Sequence, residues 1–108
     1  MNNATRVREL NDTFRRSLVG GRILLSVRVN ALPYATKARL IGKVRMFDGF
    51  NLSNDPTGEH VISTVEDQGI RYLAVIDYFT PNLCRVSNDP SDPTKTTRVL
   101  TIMRADEY

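Results

Sequence analysis

The sequence predicts an α+β fold in which two helices pack on a mostly antiparallel four-stranded sheet, in the order α-β-α-β-β-β. In two segments, apolar residues recur every three or four positions, which is typical of one face of a helix. In four other segments they form the alternating or continuous apolar runs of strands. Short links join the later strands, which favours antiparallel pairing with the helices on one face of the sheet.

The first helix is predicted over Thr5–Val19, and the glycine pair after it ends the pattern, as a left-handed C-terminal position would. Asp12 lies four residues from both Arg8 and Arg16, so we expect exposed ion pairs on the outer side of this helix. The apolar stripe that faces the core consists of Val7, Leu10, Phe14 and Leu18.

A strand and a second helix are predicted next. Alternation of apolar and more polar residues indicates a strand over Arg22–Val29. The second helix is predicted over Pro33–Phe47, because proline suits the first turn of a helix. Gly42 costs this helix about 1 kcal/mol relative to Ala, unless its missing side chain permits close packing against another element. The apolar face of this helix consists of Tyr34, Ile41 and Val44, widened by Leu40 and Phe47.

The C-terminal half predicts most of the sheet. Asp48–Gly58 has the composition of a loop, and Val61–Val65 and Ile70–Phe79 form a predicted hairpin with a glycine in its turn. Both faces of the longer strand are apolar, so we expect it to be central, with at least one face under helices. After a second loop, Arg98–Met103 is the last predicted strand, and Ala105–Tyr108 is a short polar tail.

Length and composition indicate a single domain, residues 1–108, with an aliphatic core. The chain has 41% hydrophobic residues and no Trp, and a chain of this length buries about two-thirds of its unfolded surface. Cys84 is the one cysteine, which fits a reducing compartment. The N-terminal segment lacks the apolar stretch of a secretory signal, and no apolar run approaches ~20 residues, so we expect a cytoplasmic protein without a membrane partner.

Charge is unevenly distributed along the chain. Residues 1–47 carry ten Lys and Arg against two acids, whereas residues 48–108 carry five against ten. The basic half therefore either faces nucleic acid or an acidic protein surface, or packs beside acidic loops of the same molecule. The candidate partner-binding residues of this basic surface are Arg8, Arg15, Arg16, Arg22, Arg28, Arg39 and Lys43.

No self-sufficient catalytic motif is present, and we predict no catalytic residue, no assigned metal site and no cofactor. A helical HExxH zinc site needs two histidines, and His60 is the one histidine of the chain. The sequence also lacks a phosphate-binding glycine loop and the GxSxG turn of a hydrolase nucleophile.

The residues around His60 are the strongest chemical candidates. Carboxylates beside an imidazole suit a divalent metal or acid–base chemistry. Alternatively, Asp55 builds a turn, Glu59 is solvated and His60 caps a strand. Asp77 interrupts an apolar strand and, if it is buried, needs a partner such as Arg98. The candidate set is Asp55, Glu59, His60, Asp77 and Arg98.

Two strand tyrosines are candidates for stacking on nucleic-acid bases. Tyr72 and Tyr78, with Arg71 nearby, resemble the aromatic platform of a single-stranded nucleic-acid site. The glycine–aromatic signature of an RNA-recognition strand is absent. Packing in the core is the competing role of both rings.

Four strings are distinctive: NDPTGEH at Asn54–His60, IDYF at Ile76–Phe79, SNDPSDP at Ser87–Pro93 and TRVLTIMRADEY at Thr97–Tyr108. With the REL-ND segment at Arg8–Asp12, they resemble a family of short bacterial proteins, the domain of unknown function 3768. That family continues the Glu-His pair with Asp-Phe-Gly and carries Trp and Lys in its long strand. The corresponding positions here read Val61–Ser63 and Leu73–Val75. That family has no established activity, so the resemblance does not supply an enzymatic function. Its members look like accessory proteins of plasmids and other mobile elements.

Three hypotheses of function follow. The first is a non-enzymatic interaction protein that binds a protein complex. One form of it, by analogy with small accessory proteins of mobile elements, inhibits a host defence complex in the anti-CRISPR or antirestriction manner. The second is a nucleic-acid-binding protein that uses the basic N-terminal half, with strongly salt-dependent affinity. The third is a metal-dependent enzyme that uses Glu59, His60 and Asp77. Partner identity and oligomeric state are not encoded in any pattern we recognise.

Overall fold

The computed structural model describes residues 3–108, so Met1 and Asn2 lie outside the description. Within residues 3–108, no helix is long and apolar enough to cross a membrane. A short 3₁₀ helix at Ala105–Glu107 occupies the predicted polar tail. The helices are α1 (Asn3–Ser17), α2 (Val27–Asn30) and α3 (Tyr34–Met46), and the strands are β1 (Gly21–Leu25), β2 (Ile62–Asp67), β3 (Ile70–Phe79) and β4 (Thr97–Arg104).

The four strands form one sheet in the order β1-β4-β3-β2. β2 and β3 form the predicted hairpin, and β3 pairs antiparallel with β4. Helices packed on one sheet confirm the predicted α+β class. β1 pairs with β4 in parallel, however, so the sheet is mixed rather than mostly antiparallel. The difference arises because two helices and the hairpin separate β1 from β4, and a long connection of this kind permits parallel pairing.

The predicted strand Arg22–Val29 is wrong beyond Leu25, where the chain turns into α2. The Ser26 hydroxyl oxygen accepts a hydrogen bond from the Val29 N–H at 3.3 Å, and serine is a preferred residue at this N-terminal position of a helix. Val29 is 1% exposed, whereas Val27 is 86% exposed. A strand would have put both valines on one face, but a single helical turn sends only Val29 into the core.

The other predicted helices and strands are confirmed, with their ends shifted by two residues or fewer. One face of the sheet packs against the helices and forms the core, and it includes Tyr72, which is 2% exposed. Tyr72 therefore packs in the core and is not available to stack on nucleic-acid bases. The buried residues of this core are Phe14, Val29, Leu40, Val44, Val65, Tyr72, Ala74, Ile76, Leu100 and Ile102.

α1 approaches the sheet closely where β1 begins. A Cβ atom at Gly21 would collide with the Arg98 carbonyl oxygen and with the Phe14 ring. Glycine is the one residue that avoids this collision, because it has no Cβ. Gly21 therefore does more than follow the end of a helix: it lets α1 lie against the end of β4.

Candidate functional site

Polar side chains from α1, from the loop between α3 and β2, and from β3 and β4 meet at one end of the sheet. They are held by hydrogen bonds and ion pairs that join segments far apart in the chain. We call this group the polar cluster, and it consists of Asn11, Asp12, Arg15, Asp55, Glu59, His60, Tyr78 and Arg98.

His60 lies between two carboxylates. Its Nδ1 atom is 2.9 Å from Asp12 Oδ1, and its Nε2 atom is 3.7 Å from Asp55 Oδ2. The imidazole stacks on the Phe50 ring, with centroids 3.8 Å apart and the planes 5° from parallel. Both nitrogens thus face acidic groups of the same chain, and one face of the ring is covered.

The backbone before His60 forms a turn that is held by hydrogen bonds to Asp55. His60 has a φ of +59°, a left-handed conformation that is uncommon outside glycine but enriched for histidine, asparagine and aspartate. The His60 N–H donates to Asp55 Oδ1 at 3.1 Å, and the Gly58 N–H donates to the Asp55 carbonyl oxygen at 3.1 Å. Asp55 therefore holds both ends of the turn that presents the imidazole to α1.

Asp12 joins His60 to Arg15. Arg15 is 1% exposed; its Nη1 atom lies 2.9 Å from Asp12 Oδ1, and its Nη2–H donates to the Phe47 carbonyl oxygen at 3.3 Å. The Arg15 guanidinium also lies 5.0 Å from the centre of the Phe50 ring, a cation–π contact. Burial raises the pKa of Asp12, but the contacts with His60 and Arg15 outweigh it and hold that pKa below its usual value.

Asn11 connects the other half of the polar cluster. Its amide nitrogen donates to the Glu59 carbonyl oxygen at 2.9 Å and to the Tyr78 hydroxyl at 2.8 Å. Its amide oxygen accepts from Arg98 Nε at 2.6 Å. Arg98 in turn donates to the Pro90 carbonyl oxygen at 2.6 Å. One fully buried amide therefore ties α1 to the loop before β2 and, through Arg98, to the loop before β4.

Tyr78 is a neutral hydrogen-bonding group in this arrangement. Burial, helped by the nearby Glu59 carboxylate, raises its pKa to about 12 against the opposing contacts with Asn11 and Arg98. Its hydroxyl donates to Glu59 Oε1 at 3.4 Å. Because the phenol stays protonated near neutral pH, it supplies no nucleophile, and its contacts are those of a structural network.

A second feature lies on the outer side of α3. Two cavities of about 470 and 440 Å³ adjoin there and share Gly42 and Arg45. Tyr34 and Met46, at opposite ends of α3, are 84% and 81% exposed. We call this feature the α3 groove, and its lining consists of Arg16, Leu25, Tyr34, Lys37, Ala38, Ile41, Gly42, Arg45, Met46 and Asp48.

Positive charge dominates the α3 groove. Its lining includes three cations, Arg16, Lys37 and Arg45, and one acid, Asp48. The Arg45 Nε–H donates to the Arg16 carbonyl oxygen at 2.8 Å, which joins α3 to α1 at the edge of the groove. The groove can therefore offer cations and apolar side chains together to a ligand.

Comparison with known proteins identifies the family. The family model described as "Protein of unknown function (DUF3768)" matches residues 25–107. The chain belongs to this family. No curated protein and no solved structure matches it. The match confirms the resemblance that the strings from Asn54 onwards indicated, whereas the REL-ND segment at Arg8–Asp12 lies outside the matched residues.

The match also divides the polar cluster of this DUF3768 protein. Asp55, Glu59, His60, Tyr78 and Arg98 lie within the matched residues 25–107. Their partners Asn11 and Asp12 belong to α1, outside the matched range, as does Arg15, which pairs with Asp12. In this chain, α1 therefore completes a network whose other members lie within the matched residues.

The candidate set around His60 converges only in part. Asp55 and His60 meet, and Glu59 and Arg98 both bind Asn11, the residue before Asp12 in α1. Asp77 is exposed. Its neighbour Tyr78 faces the helices, and adjacent residues of a strand point to opposite faces of the sheet. The predicted buried pair of Asp77 with Arg98 is therefore wrong.

The metal hypothesis loses its ligand set for the same reason. Glu59, His60 and Asp77 do not share a site, since Asp77 lies on the other face of the sheet. Within residues 3–108, no three His, Cys, Asp or Glu side chains are arranged to hold a metal ion.

Several of the candidate basic residues bind acids of the same chain. Arg39 Nε lies 3.0 Å and Lys43 Nζ 3.1 Å from Asp67 Oδ1, and hydrogen bonds from these two cations lower the pKa of Asp67 to about 2. Arg28 Nη1 lies 3.2 Å from Asp106 Oδ2 in the 3₁₀ helix. For these residues, the structure matches the alternative in which the basic half packs beside acidic groups of its own molecule.

The remaining candidates are dispersed over the molecule. Arg15 is buried in the polar cluster and pairs with Asp12, so the expected pairs of Asp12 with Arg8 and Arg16 are wrong. The wrong pairing arose because Asp12 faces the loop and His60 rather than solvent. Arg8 donates to the Gly58 carbonyl oxygen at 3.3 Å. Arg22 lines a separate cavity of about 310 Å³ beside β1, and Arg16 alone of the candidates lines the α3 groove.

The sequence did not single out four residues that form or contact the polar cluster and the α3 groove, which are Lys37, Arg45, Asn11 and Phe50. Lys37 and Arg45 resemble any solvated helix cation in the sequence, and no pattern marks them as neighbours of Arg16. Asn11 and Phe50 carried a weak signal: each is a residue whose type conflicts with its neighbours, an amide on an inner helix face and an aromatic ring in a polar loop.

Proposed function

We propose that this DUF3768 protein is a non-enzymatic interaction protein that binds an acidic segment of another protein in the α3 groove. The observation that carries the proposal is the exposure of Tyr34 and Met46 at the two ends of a groove lined by cations. Leu25, Ala38 and Ile41 line the same cavity as Tyr34, and an exposed apolar patch with a polar rim is typical of an interaction surface.

The charge of the groove supports an acidic ligand. Arg16 and Arg45 present guanidinium groups, which bind carboxylates through two parallel hydrogen bonds. Lys37 adds a third cation toward the other end of α3. Apolar contacts with Tyr34 and Met46 would add affinity, since aromatic residues, Met and Arg are enriched at protein interfaces.

The polar cluster supports the groove indirectly. Arg15 joins α1 to the Phe47 carbonyl oxygen at the end of α3, and Arg45 joins α3 to the Arg16 carbonyl oxygen. These two bonds restrain the C-terminal ends of both helices, where part of the groove lies. A binding surface formed by rigid elements loses less conformational entropy when a ligand binds.

A more specific form of the proposal is inhibition of a host defence complex, in the anti-CRISPR or antirestriction manner. It is supported by the small size of the chain, 108 residues, and by analogy with accessory proteins of mobile elements. A surface that takes an acidic segment would let such a protein occupy a site on a larger complex without any chemistry of its own.

A cross-linking capture experiment tests the proposal. The photoreactive residue p-benzoylphenylalanine replaces Met46, and the tagged protein captures partners from a lysate of its own host cell. We expect a partner cross-linked at position 46, with at least tenfold lower yield when Arg16→Ala and Arg45→Ala are combined. The matched control combines Arg71→Ala and Arg85→Ala, two exposed arginines outside the groove lining.

The control decides between specific and general charge effects. If both double variants lose the partner equally, net charge rather than the groove drives capture, and the proposal is wrong. Capture that persists without any cross-link at position 46 would place the partner elsewhere on the protein. Unchanged thermal unfolding of both double variants shows that the fold is intact.

Nucleic-acid binding is a second candidate, favoured by one observation. The Tyr34 ring is 84% exposed and lies in the same cavity lining as Lys37 and Arg45, and exposed rings beside cations stack with single-stranded bases. A fluorescent twenty-nucleotide oligo-dT should then bind with an affinity that falls steeply between about 50 and 200 mM salt. Tight binding that is abolished by Tyr34→Ser would favour this function over the first.

A further inference from the structure

Gly42 is an unexpected residue at the centre of α3. Glycine is among the poorest residues for a helix interior, so a structural reason within the chain would be expected. None is present among the described residues, because a Cβ atom built at Gly42 meets no atom within 4 Å. The expectation that Gly42 permits close packing against another element of the chain is therefore wrong.

Gly42 instead faces the α3 groove. It belongs to the lining of both cavities, with Ala38 one turn before it and Arg45 one turn after it. Because Gly42 has no side chain, nothing among residues 3–108 covers the backbone of α3 at this point in the groove lining. A ligand can approach the backbone of α3 most closely there.

We infer that the segment bound in the α3 groove is an amphipathic, acidic α-helix that crosses α3 at Gly42, an inference that rests on the proposed function. Packed helices normally lie 8–10 Å apart, with the distance set by the side chains at the contact. A glycine at the crossing point permits an approach near the lower end of that range.

Backbone hydrogen bonding favours a helix over an extended segment. The outer side of α3 offers no pairing partners, because the peptide groups within a helix bond to one another. An extended segment lying there would bury peptide N–H and C=O groups without partners, which is unfavourable. A helical segment bonds its own peptide groups and presents side chains alone, as in other helix-in-groove complexes.

The length of the groove matches a short helix. Tyr34 and Met46 are twelve positions apart on α3, which corresponds to about 18 Å at 1.5 Å per residue. A ligand helix of three to four turns spans that distance. Its apolar stripe would contact Tyr34, Ile41 and Met46, and acids beside the stripe would meet Arg16, Lys37 and Arg45.

A matched pair of peptides tests the inference. The helical probe is a fluorescein-labelled sixteen-residue peptide with Leu at one-face helical spacing and Glu on both sides of that stripe. Its isomer has the same composition, with the order changed so that Leu residues do not share a helical face. We expect the helical probe to bind at least tenfold more tightly than the isomer by fluorescence anisotropy.

A graded series at position 42 locates the contact. Gly42→Ala should weaken binding of the helical probe moderately, and Gly42→Leu should weaken it at least tenfold, because its side chain fills the crossing point. Both residues are good helix formers, so a thermal unfolding temperature at or above that of the unsubstituted protein shows that α3 is intact.

The outcomes separate this inference from the proposed function. Equal binding of both peptides, with Arg16→Ala/Arg45→Ala still abolishing it, overturns the helix and leaves the acidic-ligand groove standing. Insensitivity to Gly42→Leu, or no binding of the helical probe at about 1 mM, also overturns the helix, while the cross-linking test at position 46 judges the groove independently. Displacement of the probe by oligo-dT at equal concentration would overturn both.

Discussion

Arg15 and Arg45 lie on neighbouring helices and both donate to main-chain carbonyl oxygens, yet their surroundings differ completely. Arg15 is 1% exposed, and within its own chain it meets a carboxylate, Asp12, and an aromatic ring, Phe50. Arg45 is exposed at the edge of a groove in which the aromatic ring, that of Tyr34, faces solvent. Arg15 therefore has a carboxylate partner within its own chain, whereas Arg45 forms no ion pair with any carboxylate among residues 3–108.

The comparison teaches how to interpret a basic half-chain. The excess of arginines in residues 1–47 is largely used inside the molecule, in the polar cluster and in the contacts of Arg39 and Lys43 with Asp67. Of the cations that remain, Arg16, Lys37 and Arg45 line the α3 groove, whereas Arg22 lies in a separate cavity beside β1. Net charge therefore overstates the binding surface, and the arrangement of partners within the chain defines it.

Breaking the polar cluster should produce the largest effect on stability. In Asp12→Ala, Arg15 keeps its buried charge but loses its carboxylate, and His60 loses the contact at Nδ1. Removing one member of a buried ion pair typically costs about 3 kcal/mol or more. We expect the free energy of unfolding, measured by urea denaturation with circular dichroism, to fall by about this amount.

The control for this prediction is Glu9→Ala. Glu9 Oε2 lies 3.8 Å from Arg6 Nη1, and the two side chains are 62% and 50% exposed. Exposed pairs contribute about 0–1 kcal/mol, so this variant should resemble the unsubstituted protein. Equal losses in Asp12→Ala and Glu9→Ala would show that the polar cluster does not stabilise the fold as its geometry indicates.

Acid titration should sharpen the comparison at the contact between α3 and Asp67 of β2. The cations Arg39 and Lys43 lower the pKa of Asp67 from 3.8 to about 2. A carboxyl whose pKa is lower in the folded state contributes stability above its unfolded pKa and loses it as pH falls through the folded value. The free energy of unfolding should therefore decline between about pH 4 and pH 2.

Asp67→Asn isolates that contribution. The introduced amide does not titrate. The free energy of unfolding of the variant should therefore depend less on pH in this range than that of the unsubstituted protein. Asp12 also has a lowered pKa, so part of the decline remains in the variant. A decline of the same size with and without the Asp67 carboxyl would contradict the prediction.

The sequence predicted the parts of the fold that local patterns determine. The stripe of Phe14 in α1, the hairpin of β2 and β3, and the last strand follow from periodicity and turn residues. The parallel neighbour of β4 did not follow, because strand order depends on which edge is free after the helices pack. The short helix α2 did not follow either, because Ser26 and Val29 fit both a strand and a capped turn.

The polar cluster and the α3 groove were less predictable for a related reason. Asn11, Asp12 and Arg15 become a network only when the turn before β2 brings His60 to α1, a contact between residues 48 positions apart. Tyr34 fits the apolar pattern of α3, but it begins the helix beyond the edge of the core and is 84% exposed. In both cases the local sequence pattern is compatible with more than one role for the side chain, and the tertiary arrangement determines which role it has.

The smallest predicted effect on stability has the opposite sign and lies in the groove. Gly42→Ala should raise the free energy of unfolding by about 0.5–1 kcal/mol, because alanine restricts the unfolded chain and favours the helix. The added Cβ meets no atom within 4 Å, so no strain offsets this gain.

The control is Gly21→Ala, which should destabilise the protein, because its Cβ collides with the Arg98 carbonyl oxygen and the Phe14 ring. Urea denaturation of the two variants distinguishes a glycine that the fold requires from one that it does not. A loss of stability in Gly42→Ala would mean that the fold itself needs this glycine, and the case for an external helix at that position would lose its basis.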